Sequence, residues 1–198
     1  MSPGKGGMRI LCLYNNDIAL DLFDWIKEQG NDIVVSSDRL SVEWCISQNF
    51  DLVVSYTYRY ILSTELIKAF NNNVVNLHTS YLPFNRGADP NIWSVIDGTP
   101  RGVTLHYIDE KLDHGDIIAQ KLIDSCYEGT LSSSYKELDA EAKKLFKTAF
   151  KYYLFWGEMR KGAKGIGTYR QASELTNIKK KISSYDITIS EFLKEIKL

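Results

Sequence analysis

The run Arg9-Ile10-Leu11-Cys12-Leu13-Tyr14 is apolar almost end to end and reads as a strand. From about Asp17 the spacing changes, and Ile18, Leu22, Trp25 and Ile26 fall on one helical stripe that Gly30 ends. A second apolar run at 33–36 completes a strand–helix–strand unit. The alternation continues with a helix over 41–48, a strand at 52–56, a helix over 64–70 and a strand at 74–78. Asp89-Pro90 then supplies a helix N-cap and a first-turn proline, opening a helix that carries Trp93 and Val95 as far as Gly98. Two more strands are expected at 102–108 and 116–122. This pattern predicts an α/β fold, a mostly parallel sheet with flanking helices.

The last third has a different character. Ser134-Tyr135-Lys136-Glu137 has the form of a capping box opening a long helix, with Leu138, Leu145, Phe146, Ala149, Phe150 and Tyr153 facing inward. Residues 162–167 begin a polar, loop-like stretch, and Thr188-Ile189-Ser190-Glu191 opens a short final helix through Phe192, Leu193 and Ile196. The expected organisation is a flexible tail or cloning remnant at 1–7, a catalytic domain at 8–160 and a C-terminal extension at 161–198.

With 44% hydrophobic and 25% charged residues, the 198-residue chain has the make-up of one ordinary globular domain. Its net charge of −1 offers no basic field for a nucleic acid, and no apolar run is long enough for a membrane span. Cys12, Cys45 and Cys126 are odd in number and never form a CxxC pair, so a reduced, cytoplasmic protein without structural zinc is expected. Lys179-Lys180-Lys181 reads as a solvated face.

Asn76 and His78 stand two apart at the end of the 74–78 strand and therefore project from one face. Pro83 and Asn85-Arg86-Gly87 stop that strand, and Asp113 arrives in the loop Asp109-Glu110-Lys111-Leu112-Asp113-His114-Gly115. Amide, imidazole and carboxylate together suit acyl transfer without a covalent enzyme intermediate. An isolated Asn or His at a strand end is more often a satisfied polar residue, and Asp113 also suits a turn. Three histidines at these spacings predict no metal site. His106 is expected in the core or behind the site, and His114 on the surface.

Asn76-Leu77-His78-Thr79-Ser80-Tyr81-Leu82-Pro83, then Arg86-Gly87-Ala88-Asp89-Pro90 and Leu112-Asp113-His114-Gly115, resemble the formyltransferases that use 10-formyltetrahydrofolate. The resemblance spans roughly residues 8–130. It implies the formyltransferase fold, a Rossmann-like, mostly parallel twisted sheet with flanking helices, here with a short helical C-terminal extension. It makes Asn76, His78 and Asp113 catalytic, the first two as donors to the formyl oxygen and the third as acceptor of the amine proton. By the same resemblance Arg59, Tyr60, Ile61 and Leu62, with Asp109, border the folate pocket.

The segment 85–91 is similar to that of nucleotide-sugar N-formyltransferases. That makes Arg86, Gly87 and Asn91 substrate-binding and points to a 4-amino-4,6-dideoxy sugar on a nucleoside diphosphate, a precursor for surface glycan. The first β–α turn, Tyr14-Asn15-Asn16-Asp17, lacks the glycine-rich cradle expected for glycinamide ribonucleotide. A member acting on methionyl-tRNA is expected to carry a larger C-terminal domain than 161–198 provides. Those acceptors, or a non-catalytic folate- or nucleotide-binding module, are the alternatives. Thr79 and Glu128-Gly129-Thr130 depart from the family's pattern, and the short C-terminal region suggests that a homodimer partner supports the nucleotide. The aromatic run Tyr152-Tyr153-Leu154-Phe155-Trp156 reads as a helix face or a dimer surface, and Trp93 as core.

Overall fold

The computed structural model describes residues 7–123, 128–156, 167–182 and 184–196. Cys126, the stretch 162–166 and the side chains of Tyr153, Leu154, Phe155 and Trp156 lie outside the described residues, and with them most of the expected aromatic face.

Eight strands are described: β1 (Arg9–Leu13), β2 (Asp32–Ser36), β3 (Leu52–Tyr56), β4 (Val74–His78), β5 (Arg86–Gly87), β6 (Gly102–Tyr107), β7 (Ile117–Leu122) and β8 (Tyr169–Arg170). The helices are α1 (Leu20–Glu28), α2 (Val42–Gln48), α3 (Thr64–Ala69), α4 (Pro90–Asp97), α5 (Leu131–Trp156), α6 (Thr176–Lys181) and α7 (Ile189–Ile196). A six-stranded sheet runs in the order β2-β1-β3-β4-β6-β7, and β5 pairs with β8 in a separate two-stranded sheet. The first four strands of the large sheet are parallel, whereas β6 and β7 are antiparallel to their neighbours.

Buried strands read as continuous apolar runs because helices cover both faces of the sheet. Ile10, Cys12, Leu52, Val54, Val75, Leu77 and Leu105 pack with Leu22, Phe23 and Ile26 of α1 and Leu138, Ala142, Phe146 and Phe150 of α5. Leu11, Leu13, Val53 and Val74 point the other way, onto Cys45 of α2 and Leu66 and Ile67 of α3. A third cluster joins Ile92, Trp93 and Val95 of α4 to Leu131, Leu175, Ile189 and Phe192, so the C-terminal helices share a core with α4 and the start of α5. Beneath the sheet end, Tyr56 Oη donates to Asp139 Oδ1 at 2.6 Å, and Lys143 Nζ lies 2.8 Å from Asp139 Oδ2 and 2.7 Å from Asp21 Oδ1. This network, buried at Tyr56 and Asp139 and exposed at Asp21, ties β3, α5 and α1 together.

Several ends differ from the sequence reading. The helix expected from Asp17 begins with a 3-10 turn, Asp17–Ala19, capped by Asn16 Oδ1 accepting from Ile18 N. The long helix starts at Leu131 rather than Ser134, because Thr130 and Ser133 exchange side-chain caps: Thr130 N donates to Ser133 Oγ at 2.8 Å and Ser133 N to Thr130 Oγ1 at 3.0 Å. Glu137 instead meets Arg101 Nη1 at 2.7 Å. Asp89 occupies the N-cap position of α4, but in the left-handed region and without a side-chain cap. Its carboxylate meets Lys179 Nζ at 2.7 Å, so the lysine run is not wholly solvated. The polar stretch after 167 contains β8 and α6. Thr188 and Glu191 do form the expected cap of α7. Among the described residues no helix is long and apolar enough to cross a membrane.

Candidate active site

Outside the carboxyl ends of β1, β3 and β4 lies a cleft of about 830 Å³, where open α/β sheets bind their ligands. Asn76 and His78, at alternate positions of β4, both line it. The antiparallel neighbour β6 brings His106 directly opposite Asn76. Asp113 comes from the β6–β7 loop in the left-handed region, at φ 48°. That loop is braced by Asp109, whose Oδ1 accepts from Lys111 N at 2.8 Å and whose Oδ2 lies 3.0 Å from His114 Nδ1. His114 is thus half-buried and engaged.

Asp113 is the hub of the cluster. Its Oδ2 accepts from Gly87 N at 2.8 Å and lies 3.6 Å from His78 Nε2, while Oδ1 is 3.4 Å from Asn76 Nδ2 and 3.6 Å from His106 Nε2. Burial pushes the Asp113 carboxyl up. The neighbouring His78 and His106 rings and the Gly87 N–H outweigh it, holding the group well below the usual carboxylate range. Asp113 is therefore an anion at neutral pH.

The other groups are oriented by what they already bond. His78 Nε2 is 3.0 Å from Asn85 O, and because a carbonyl only accepts, that nitrogen carries a hydrogen. His106 Nδ1 faces Tyr107 O at 2.8 Å, turning Nε2 to Asn76 Nδ2 at 3.2 Å. The Asp113 carboxylate rejects an amide oxygen, so the Asn76 NH₂ faces inward. At 3.4 Å its contact with Asp113 is long, and that N–H can turn to an incoming carbonyl oxygen.

The expected folate side is the opposite end of the cleft. Arg59, Tyr60, Ile61, Leu62 and Asp109 all line it. Arg59 and Arg39 both place their guanidinium over the Tyr60 ring, at 5.0 and 4.6 Å, and Ile61 is 79% exposed at the rim. Arg59 N donates to Asn15 Oδ1 at 2.8 Å, fixing this loop to the first β–α turn.

Of the expected acceptor residues, Gly87 lines the cleft, and Arg86 beside it keeps Nε buried without a hydrogen-bond partner among the described residues. Asn91 does not line the main cleft. It borders an adjoining cavity of about 310 Å³, and its amide is occupied by Leu131 O at 3.3 Å and Ser134 Oγ at 2.7 Å. Trp93 is core, as expected, at 5% exposure. Among the described residues no group of His, Cys, Asp and Glu is placed to hold a metal.

Sequence reasoning missed part of the site. Tyr135, Arg170, Gln171 and Ser173 line the cleft, contributed by the start of α5, by β8 and by the segment following it. A two-residue strand has no periodicity to betray it. Thr57, in the left-handed region at φ 64°, was missed too; its Oγ1 accepts from Asn15 N at 3.3 Å and Asn16 N at 3.1 Å.

An anionic carboxylate beside an amide donor and two imidazoles, lining a cleft at the carboxyl end of β4, is the equipment of a group-transfer enzyme acting on a carbonyl. Residues 36–150 match the family model for formyl transferase. The chain belongs to that family. It is 43% identical over 76 residues to dTDP-4-amino-4,6-dideoxyglucose formyltransferase of Mycobacterium tuberculosis, covering 38% of this chain and 32% of that protein. It is 38% identical over 104 residues to methionyl-tRNA formyltransferase of Listeria monocytogenes, covering 50% and 33%. The matches thus span about a third of the length of these curated relatives. Over nearly its whole length the fold superimposes on the formyltransferase PseJ from Anoxybacillus kamchatkensis, with a TM-score of 0.84, 30% identity and coverage of 94% of this chain and 98% of that one.

Proposed function

We propose that the protein transfers the formyl group of 10-formyltetrahydrofolate to the amine of a nucleotide-linked amino sugar, of the 4-amino-4,6-dideoxy class, giving a formamido sugar for a surface glycan. The observation that carries this reading is the Asp113 cluster, which lines the main cleft next to an adjoining cavity. PseJ, alike over nearly its full length, was solved with UDP-4,6-dideoxy-4-formamido-L-AltNAc and tetrahydrofolate. The loop 58–62 and the Asp109 loop both line the cleft, and Tyr58, Tyr60, Ile61 and Leu62 give it the apolar and aromatic surface that suits the flat pterin of the donor.

In the reaction the acceptor amine would attack the formyl carbon of 10-formyltetrahydrofolate, and the bond from that carbon to N10 would break. Tetrahydrofolate would leave with the proton shed by the amine returned to N10. The Asn76 N–H and the His78 imidazolium donate to the formyl oxygen as negative charge builds there. Asp113 takes the proton that the attacking amine sheds, directly or through a water. His106 holds the Asn76 amide.

The first β–α turn favours a sugar over a ribonucleotide. Its two amides, on Asn15 and Asn16, are already occupied by the Thr57 hydroxyl and so are not free for a phosphate. Arg86, Gly87 and Asn91 form the acceptor side of the reading. A homodimer supporting the nucleotide and a cytoplasmic setting complete it, the former tested by sedimentation equilibrium with and without the nucleotide sugar. Catalysis is tested by His78→Ala, which should abolish turnover while folate binding persists; activity near wild type would sink the assignment.

A further inference from the structure

The strand β8 lies remote in sequence from the Asp113 cluster, yet it touches the backbone that orients two of its members. We propose that Arg170 is a positioning residue and that through it the segment 168–170 sets the geometry of both His78 and Asp113. The proposal depends on the formyl-transfer reading only for its kinetic readout.

Two hydrogen-bond chains lead from this segment. Thr168 Oγ1 accepts from Asn85 N at 2.7 Å and donates to Asn85 Oδ1 at 3.1 Å, and Asn85 O receives His78 Nε2. Arg86 N donates to Thr168 O at 3.0 Å and Ala88 N to Arg170 O at 3.3 Å. Between those bonds lies Gly87, whose N–H reaches Asp113. Gly87 has φ 96°, and a Cβ there would come within 2.2 Å of Arg170 O. A Cβ on Gly167 would likewise meet Pro83 O at 2.0 Å. The segment is therefore pressed against the turn after β4 by glycine at both contacts.

A parallel pair two residues long is not stable alone, so it must be anchored. Arg170 does this. Its Nη2 and Nε bond Asp97 Oδ2 at 2.6 and 3.2 Å, Nη1 bonds Glu174 Oε2 at 3.2 Å, and the guanidinium lies 4.2 Å from the Trp93 ring. Trp93 and Asp97 are both on α4, so the side chain fastens β8 to the helix that follows β5. Although Arg170 lines the cleft, three of its five N–H donors are engaged and two carboxylates exceed its charge. That makes it a clamp and a poor site for an anionic ligand.

The test uses two variants of the full chain, Arg170→Gln and Asp97→Asn. The second does not line the cleft, releases the clamp without touching substrate, and carries the test should the first not fold. Asp113 is faced by His78 and Asn76 from β4, His106 from β6 and Gly87 N–H from β5. Loss of the Gly87 bond should raise its titration midpoint in both variants, read by carboxyl ¹³C NMR with the signal assigned through Asp113→Asn. With the nucleotide sugar and 10-formyltetrahydrofolate, kcat should fall about ten- to a hundredfold while the acceptor KM stays within about threefold. An unmoved Asp113 titration in the folded variants overturns the proposal. So does a rise in acceptor KM confined to Arg170→Gln, which would make Arg170 a substrate contact. A raised titration in a protein that formylates no amine supports the clamp and sinks the functional reading instead.

Discussion

Asp113 makes the strongest residue-level claim, because its ionisation is a property of its surroundings. Its carboxyl is depressed in the folded state, so it contributes stability that is present above the unfolded value of about 4 and lost as pH falls through the folded one. Asp113→Asn should therefore flatten the acid side of a plot of Tm against pH, and an unchanged acid slope would contradict the assignment. The same variant should lower kcat by about 10²–10⁴, as loss of a positioned base does. At Thr57 the prediction concerns choice of acceptor. With the first-turn amides capped by its hydroxyl, glycinamide ribonucleotide should give no detectable formylated product at concentrations that saturate the sugar nucleotide. Turnover comparable to the sugar would refute this.

Among the elements, the buried strands were the most legible. Strands β3 and β4 fall where the apolar runs at 52–56 and 74–78 place them, since burial on both faces leaves no freedom of register. Asn76 and His78 were legible as a pair for the same reason. His106 was placed near the site from alternation, but its direct contact with Asn76 depends on β6 pairing antiparallel with β4, which no local pattern encodes. The start of α5 was misread because two overlapping motifs compete, and Glu137 is drawn to Arg101 instead of the cap. At β5, Gly87→Ala should cost about 1–3 kcal/mol, from the left-handed backbone and the collision with Arg170 O, measurable by urea unfolding. A neutral result would mean that β5 and β8 separate readily.

At the scale of the whole molecule, one buried network joins the sheet to helices on the face opposite α2 and α3. Burial, with the hydrogen bond and charge of Asp139, pushes the Tyr56 hydroxyl far above its ordinary value, so it remains a donor at every working pH. Tyr56→Phe removes that donor from a buried carboxylate and should destabilise the protein by about 1–3 kcal/mol, seen as a lower denaturant midpoint. The cleft walls at 58–62 and 109–113 were readable because their residues are contiguous in sequence. The wall formed by Tyr135 and Arg170 was not readable, because they reach the cleft from α5 and β8 by tertiary packing. The central claim is the reaction itself. The purified protein should be incubated with 10-formyltetrahydrofolate and a panel of nucleotide-linked amino sugars, with products read by mass spectrometry. Gain of one formyl group on a 4-amino-4,6-dideoxy sugar nucleotide, absent with His78→Ala, is the predicted result; folate binding without a formylated sugar from any member of the panel would contradict the account.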